Sequence, residues 1–542
     1  MKLCSHPLLA LTLLVQLALA PSLWAGPASH VGRPDAPGVD VDQATSTLRF
    51  GPRFQDRMVV QRGVALRVDG RAIPGREVEA RFDGEVATTR ADGDGLWGVS
   101  FAPRGPSLEP LTLVATCEGQ RVAVDDVLVG DVWVFAGSTD LCAPVSASAA
   151  LAPTLPEHVR FYVPLPRARF GDVVWSADER RGVAESLLAG RWWSQGTGLP
   201  SNLSAIAWQF ARALEAEQQV PIGVLQLAVG PATLESWLPR PALLTDERLA
   251  ARLVGWWASD AVASDVRARA RRNLAGLLDR TPTPPDAGVH PYQPGFLWAA
   301  SRERLRSVAV AGMVFGCSAE ALEEPERHAH LLRTVVETWR EHVIGRRPVL
   351  LIESSGQDWF LDPDGSLAAL RRDAERRIVA GTGALVDLGL VVTHDLTARG
   401  LELPARQRAV GERLAVWAFD LVHERVGCVP SGPMPTAMTA DPKARTARVA
   451  FDYADGLATL DGAAPRGLTV LGPDGRVFAA RGRIEEGELV VEHPEVSLPT
   501  ELRYGFGGWG GNLVNRAGLP APTFRLTLAA HRVVDASAPV SR

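Results

Sequence analysis

Two rhythms of apolar and polar positions divide this chain. From Ser46 to about Asp125, short runs alternate the two kinds of residue, as in "VALRVDGRAIPGREVEARFDG", "ATTRADGDGLWGVSFAP" and "LTLVATCEGQRVAVDD". A period of two puts every second side chain on one face of a strand. Pro74-Gly75, Asp83-Gly84 and Asp94-Gly95 stand between the runs as β-turns. The pattern predicts a small antiparallel β-sandwich over residues 46–124. Such a unit is either a carbohydrate-binding module or a structural domain packed on its neighbour.

After Asp125 apolar runs alternate with amphipathic ones. Strands are predicted at "VLVGDVWVFAG", "VPIGVLQLAVG", "SVAVAGMVFG", "RPVLLIES" and "ALVDLGLVVT". Helices are predicted at "AIAWQFARALEAEQQ", "DVRARARRNLAGLLDR", "RHAHLLRTVVETWREHVI", "LAALRRDAERRIVAG" and "ARQRAVGERLAVWAFDLVHERV". Near-continuous apolar strands separated by striped helices indicate a parallel sheet covered on both faces, so residues 125–429 read as an α/β domain. In such sheets ligands bind beyond the C-terminal strand ends. The Pro/Gly-rich joint "VPSGPMPTAM" closes this domain, and strand alternation returns over residues 437–531 as a second β-domain.

Charge and composition narrow the picture. The chain has 542 residues, 46% of them hydrophobic and 22% charged, which is enough apolar material for real cores. Lys2, a Leu/Ala-rich run from Leu8 to Ala20 and small residues around Ala25 give residues 1–25 the layout of a secretory signal peptide. The expectation is export to the periplasm or beyond, with no membrane span after cleavage. Net charge falls from −5 to −6 once Lys2 is excluded, with no basic run, so nucleic acid is not an expected partner. Cys117, Cys142, Cys317 and Cys428 form no C-x-x-C pair, which argues against zinc and leaves room for one disulfide, Cys117–Cys142 or Cys317–Cys428.

Several stretches together resemble the sialate O-acetylesterase family, a branch of the SGNH (GDSL-like) carbohydrate esterases. "FQDRMVVQR" is similar to its Asp-x-Met-Val-Leu-Gln-Arg opening, and "ADGDGLWGV" to its Asp-x-x-Gly-x-Trp turn. "VLVGDVWVFAGSTDL" resembles its Leu-x-Gly-Asp-Val-Trp strand leading into Gly-Gln-Ser-Asn-Met, and "VPIGVLQLAVGPATLESW" its second strand with the Glu-x-Trp tail. "LRYGFGGWGGNLVNRAGLPAPTFR" is similar to the family's ending. The resemblance runs from about Leu48 to Arg525. It implies an SGNH-type three-layer α/β sandwich between all-β domains, acting on an acetylated glycan or sialic acid-type ligand through a Ser-His-Asp arrangement with no cofactor.

Carried over residue by residue, that arrangement is substituted. The nucleophile position holds Thr139, flanked by Ser138 and Asp140. A threonine hydroxyl attacks only with a base beside it, and a neighbouring carboxylate opposes an oxyanion. Trp-Gly-Gly-Thr becomes Val229-Gly230-Pro231-Ala232, in which Pro231 lacks an N–H and Gly230 keeps one. In the third block, Gln and Glu become Gly316 and Ser318. The Asp-x-His-Pro of the family falls on Leu401-Glu402-Leu403-Pro404, so the acid and base positions are leucines, and a leucine accepts no proton.

His394, at a predicted strand exit, is the one substitute base in that part of the sheet. Its neighbour Asp395 points elsewhere, because adjacent strand residues face opposite sides. His328 and His330, two apart on a helix, read as surface residues rather than a metal pair. The favoured expectation is an exported, catalytically degenerate esterase-like protein that binds a glycan or serves structurally. The alternatives are an active esterase using Thr139 and His394, and a scaffold with an aromatic patch near Trp509.

Overall fold

Seven strands open the structure: β1 (Arg49–Phe50), β2 (Val59–Gln61), β3 (Leu66–Arg71), β4 (Glu77–Phe82), β5 (Glu85–Arg90), β6 (Leu96–Phe101) and β7 (Ser107–Cys117). The Pro-Gly and two Asp-Gly pairs fall between strands β3 to β6, with Gly75, Gly84 and Gly95 at positive φ as tight turns require. This computed structural model describes residues 48–528 apart from positions 138, 146–154, 166–172, 231, 246, 251–252, 254, 260–261, 263, 279–288, 317–323, 355–365, 381–384, 399 and 507–510. The segment read as a signal peptide, together with Ser138, Pro231, Ser318 and Trp509, lies outside the described residues.

The next strand, β8 (Gln120–Gly137), is 18 residues long and joins the two rhythms. Its first half pairs antiparallel with β7, and its second half is parallel to β2 and to strands of the central sheet. Burial alternates along Gln120 to Asp126 and is unbroken from Val127 to Gly137, because only the second half is covered on both faces. The junction read between residues 124 and 125 thus lies inside one continuous strand. One hydrophobic core runs from Val78, Phe82 and Trp97 of the N-terminal strands to Val134 and Phe315 of the central sheet.

The remaining central strands are β9 (Val159–Pro164), β10 (Gly190–Trp193), β11 (Ile222–Gln226), β12 (Gly312–Gly316), β13 (Val349–Ile352) and β14 (Leu388–Val391). Their order is β10-β9-β11-β8-β12-β13-β14. The expected all-parallel sheet is corrected to a mixed one, since β10 runs antiparallel to β9. The apolar pattern reveals β8 and β11 to β14 but not this pair, whose "VRFYVP" and "GRWW" are short runs broken by Arg160 and Arg191.

Alternate side chains of the central strands enter two different cores. Trp133, Phe135, Val224 and Leu350 meet Phe210 and Leu214 of helix α1 (Ala205–Gln218). Met313, Phe315 and Leu351 meet Leu331, Val335 and Trp339 of helix α2 (Pro325–Trp339). Three more helices shape the site: α3 (Ser366–Val379), α4 (His394–Ala398) and α5 (Leu403–Leu421). A Cβ on Gly411 of α5 would stand 2.5 Å from Gln209 Cβ and 2.9 Å from the Phe210 backbone of α1, so glycine there permits the close helix crossing. Gly411→Val is expected to lower stability by about 1–3 kcal/mol, read as a drop in thermal midpoint without loss of helix content.

The motifs with no evident chemistry hold this frame together. Gln61 and Arg62, ending the opening motif, grip Asp131 of the Gly-Asp-Val-Trp strand: Arg62 Nε and Nη2 donate to its two oxygens at 2.8 and 3.0 Å, and Gln61 Nε2 at 3.1 Å. Gly130 passes against the Pro221 carbonyl, where any Cβ would collide, and Pro221 O accepts from Asp131 N at 2.8 Å. Near the end of the chain, Asn515 Nδ2 donates to Ser431 O at 2.9 Å, tying the ending motif to the Pro/Gly joint. The C-terminal strands form two four-stranded antiparallel sheets and a two-stranded pair.

Helix α3 departs from its expected solvent-facing stripe. Arg371, Arg372, Asp373, Glu375 and Arg376 are all buried, because helix α2 and the strand Phe524–Thr527 both pack against this helix. Arg525 N donates to Asp373 Oδ1 at 3.0 Å and Arg372 Nε to Thr523 Oγ1 at 3.0 Å. Cys117 and Cys428 are free thiols, so neither disulfide considered from the sequence forms.

Candidate active site

The C-terminal ends of the central strands stand in register. Gly137, Gly316, Ile352 and Val391 lie in one row across β8, β12, β13 and β14. Gly137 adopts φ 103° and packs on the Gly316 backbone so closely that a Cβ would collide with it. The turn after β8 therefore needs glycine for both its conformation and its space. Thr139 follows as the first residue of a 3₁₀ turn, Thr139–Cys142; its side chain lies outside the described residues. Beside it, Val229 N donates to Gly137 O at 3.0 Å, bringing the exit of β11 against the exit of β8. Gly230 O accepts from Tyr292 Oη at 3.4 Å, while the Gly230 N–H makes no hydrogen bond among the described residues.

At the other side of the row, the sequence reading missed the group that matters most. Glu353 leaves β13 immediately after Ile352 and is fully buried. Its Oε2 accepts Thr393 N at 2.8 Å and His394 N at 3.1 Å, and lies 3.0 Å from His394 Nδ1. A carboxylate facing Nδ1 calls for a proton there, which leaves Nε2 of a neutral ring as a proton acceptor. Among the described residues Nε2 has no hydrogen-bond partner, and the His394 side chain is 8% exposed. Burial by itself raises the Glu353 pKa, yet the charge and hydrogen bond of His394, the charge of Arg372 and the Thr393 N–H together hold it below the ordinary value. The signal in the sequence is modest: "LLIES" carries a carboxylate at the first position past an apolar strand.

The leucine positions lie nearby and contribute hydrocarbon only. Leu401 is half-buried against the core of α1 and α5, its N–H donating to Leu396 O at 3.2 Å. Leu403 begins α5 and is 40% exposed. Asp395 does not orient His394; both its oxygens are held by Arg413 of α5 at 2.7 Å, and Arg413 also donates to Val392 O. This pair fixes the turn from which His394 projects. From β8 to β14 is three strand spacings, about 14 Å of backbone. A hydroxyl on Thr139 meets His394 only through exit loops that lean toward each other.

Two further histidines are structural in their surroundings. His328 is corrected from surface to buried: its Nε2 lies 2.8 Å from Glu375 Oε1, whose other oxygen accepts Ser354 N at 3.0 Å. Helix α3 covers the face that an isolated amphipathic pattern would leave open. His290 stacks on Trp175 with ring centroids 4.8 Å apart, accepts Tyr292 N at Nδ1 and meets Asn273 Oδ1 through Nε2. Burial, reinforced by the charge of Arg269, pushes its pKa down to about 3, so it stays neutral beneath the Gly230 turn.

No protein-family model matches the chain, and no curated protein sequence matches it. Among solved structures, a carbohydrate acetylesterase from Xanthomonas citri superposes with a TM-score of 0.68 and 22% identity, covering 88% of this chain and 99% of that one. The chain has the fold of a carbohydrate acetylesterase. An acetyl xylan esterase from Butyrivibrio proteoclasticus, at TM-score 0.24 and 9% identity over 66% of this chain and 88% of that one, adds no weight. At such identities the likeness concerns the backbone, and the chemistry has to be argued from the residues.

Proposed function

We propose that this protein is an exported, SGNH-type relative of the sialate O-acetylesterases that binds acetylated glycans and has lost the family's Ser-His-Asp hydrolysis. The supporting architecture is the three-layer arrangement implied by two helical faces on one central sheet, with β-domains on either side. The observation that carries the reading is the pair of leucines at the acid and base positions, Leu401 packed and Leu403 at the mouth of α5. Loss of a triad member removes several orders of magnitude of rate, and the oxyanion and binding contributions that remain give weak turnover. What persists is the row of strand ends, the place where α/β sheets of this kind bind ligands. No helix among the described residues is long and apolar enough to cross a membrane.

A second reading is favoured by one observation, the buried Glu353–His394 pair with its free Nε2. In that reading His394 takes the proton of the Thr139 hydroxyl, the oxygen attacks the acetyl carbonyl, and the Gly230 N–H supports the oxyanion. One experiment separates the two. The mature protein, Thr139→Ala and His394→Ala are assayed for hydrolysis of p-nitrophenyl acetate and of an O-acetylated sialic acid, alongside calorimetric binding of the latter. The expected result is background hydrolysis by all three with binding retained. Hydrolysis that disappears in both variants overturns the degenerate reading in favour of Thr139 and His394.

A further inference from the structure

Helices α2 and α3 and the strand Phe524–Thr527, with Pro435 and Thr436 beside them, line an open cavity of about 520 Å³. Cavities of roughly 300–1,000 Å³ hold ligands of sugar to drug size. Its walls carry Arg333 from α2, Arg376 and Arg377 from α3, and Arg525 from the strand, against one carboxylate, Glu326. None of these residues leaves a central strand end, so the cavity is separate from the site described above.

Most of the cations are already engaged. Arg376 Nη2 lies 2.8 Å from Asp373 Oδ1, and Arg377 pairs with Glu326 at 2.6 Å and with Asp373 at 3.2 Å. Arg333 lines the cavity and stands 3.8 Å from Glu337 one turn on in its own helix, a long i,i+4 pair. Arg525 differs. Its backbone N–H is fixed on Asp373, yet its half-buried guanidinium makes no hydrogen bond or ion pair among the described residues. An arginine presents a planar fork suited to carboxylate or phosphate, and one that faces a cavity with no hydrogen-bond partner among the described residues can receive such an anion. Glu326 reports the same surplus: the hydrogen bond from Arg377 outweighs burial and holds its pKa down, and the charges of Arg377 and Arg525 add to the effect.

We propose that this cavity binds a small ligand bearing a carboxylate or phosphate oxyanion, which docks on Arg525 and Arg333 while Thr527 faces the ligand body. The ligand closes the gap between the helical layer and the C-terminal strands. The pairing that α3 already makes with that strand through Asp373 keeps the cavity formed without it.

The test is calorimetric titration of the full mature chain with glucuronate, glucose 6-phosphate and glucose. Binding of either acidic probe with none of glucose is expected. A glucuronate response alone identifies a carboxylate site, a glucose 6-phosphate response alone a phosphate site. Arg525→Gln is expected to weaken the acidic probe at least tenfold, as loss of a charge-assisted hydrogen bond does. Arg333→Gln, on helix α2, is expected to weaken it severalfold and serves if Arg525→Gln fails to fold. Silence with both acids, equal binding of glucose, or acid binding unchanged in the folded variants overturns the proposal. None of these outcomes depends on hydrolysis or on the strand-end site.

Discussion

Replacing Arg62 with methionine is expected to cost about 3–5 kcal/mol of stability, because it strands the Asp131 carboxylate in the interior without its cation. Asp131 is 1% exposed and sits within the buried half of β8, just past the stretch that pairs with β2. Its oxygens accept two hydrogen bonds from Arg62 and one from Gln61, while His423 Nε2 lies 3.7 Å away. Asp131→Asn is expected to cost less, since the Arg62 side chain is 29% exposed and turns to water. The double variant should lose less than the sum of the two, because the second change removes the charge that the first left unpaired. Urea midpoints at constant slope provide the measurement. An Arg62→Met loss under about 1 kcal/mol would show that the grip does not hold the two β-rich parts together.

Glu353→Ala should be the second large effect, about 3–5 kcal/mol, because two buried backbone N–H groups and the His394 ring lose their acceptor together. Glu353→Gln keeps one acceptor oxygen and is expected to cost about half as much. The pH dependence has a definite sign. The Glu353 pKa in the folded protein lies below its ordinary 4.5. A depressed carboxylate contributes stability above the unfolded value, and that contribution is lost as pH falls through the lower folded value. The gap between the native protein and Glu353→Gln should therefore be full at pH 7 and shrink below about pH 4.5. A gap that widens on acidification would mean that Glu353 is held protonated. The same variants inform function, since an orienting carboxylate changes hydrolysis only where His394 acts as a base.

What made the frame legible was periodicity. The runs at Val127 to Gly137, Val220 to Gly230 and Val349 to Ile352 are apolar apart from Asp131 and Gln226, and near-continuous apolar runs of that kind mark strands covered on both faces. The edge strand Gly190–Trp193 and its inner neighbour Val159–Pro164 each interrupt their apolar run with an arginine, and their pairing depends on a crossover that local sequence does not encode. The charged stripe of α3 reads as a solvent face when the helix is considered alone. Helix α2, through His328, and the later strand Phe524–Thr527, some 150 positions along the chain, together turn that stripe into a buried ionic layer.

The candidate site divides in the same way. From residue order and motif resemblance alone, Thr139, Leu401 and Leu403 are the positions expected for a nucleophile, acid and base, because short motifs keep their spacing along a chain. The sequence also showed that His394 stands at a strand exit and that Asp395 is a poor partner for it. Only the tertiary structure decided what that histidine faces. Glu353 lies 41 residues earlier on the adjacent strand, and its meeting with His394 arises from β13 and β14 pairing in register. The free guanidinium of Arg525 likewise becomes visible only once helix and strand line a common cavity. Spacing within a motif is a local property of the chain, whereas a side chain's partners are set by which strands and helices pack together.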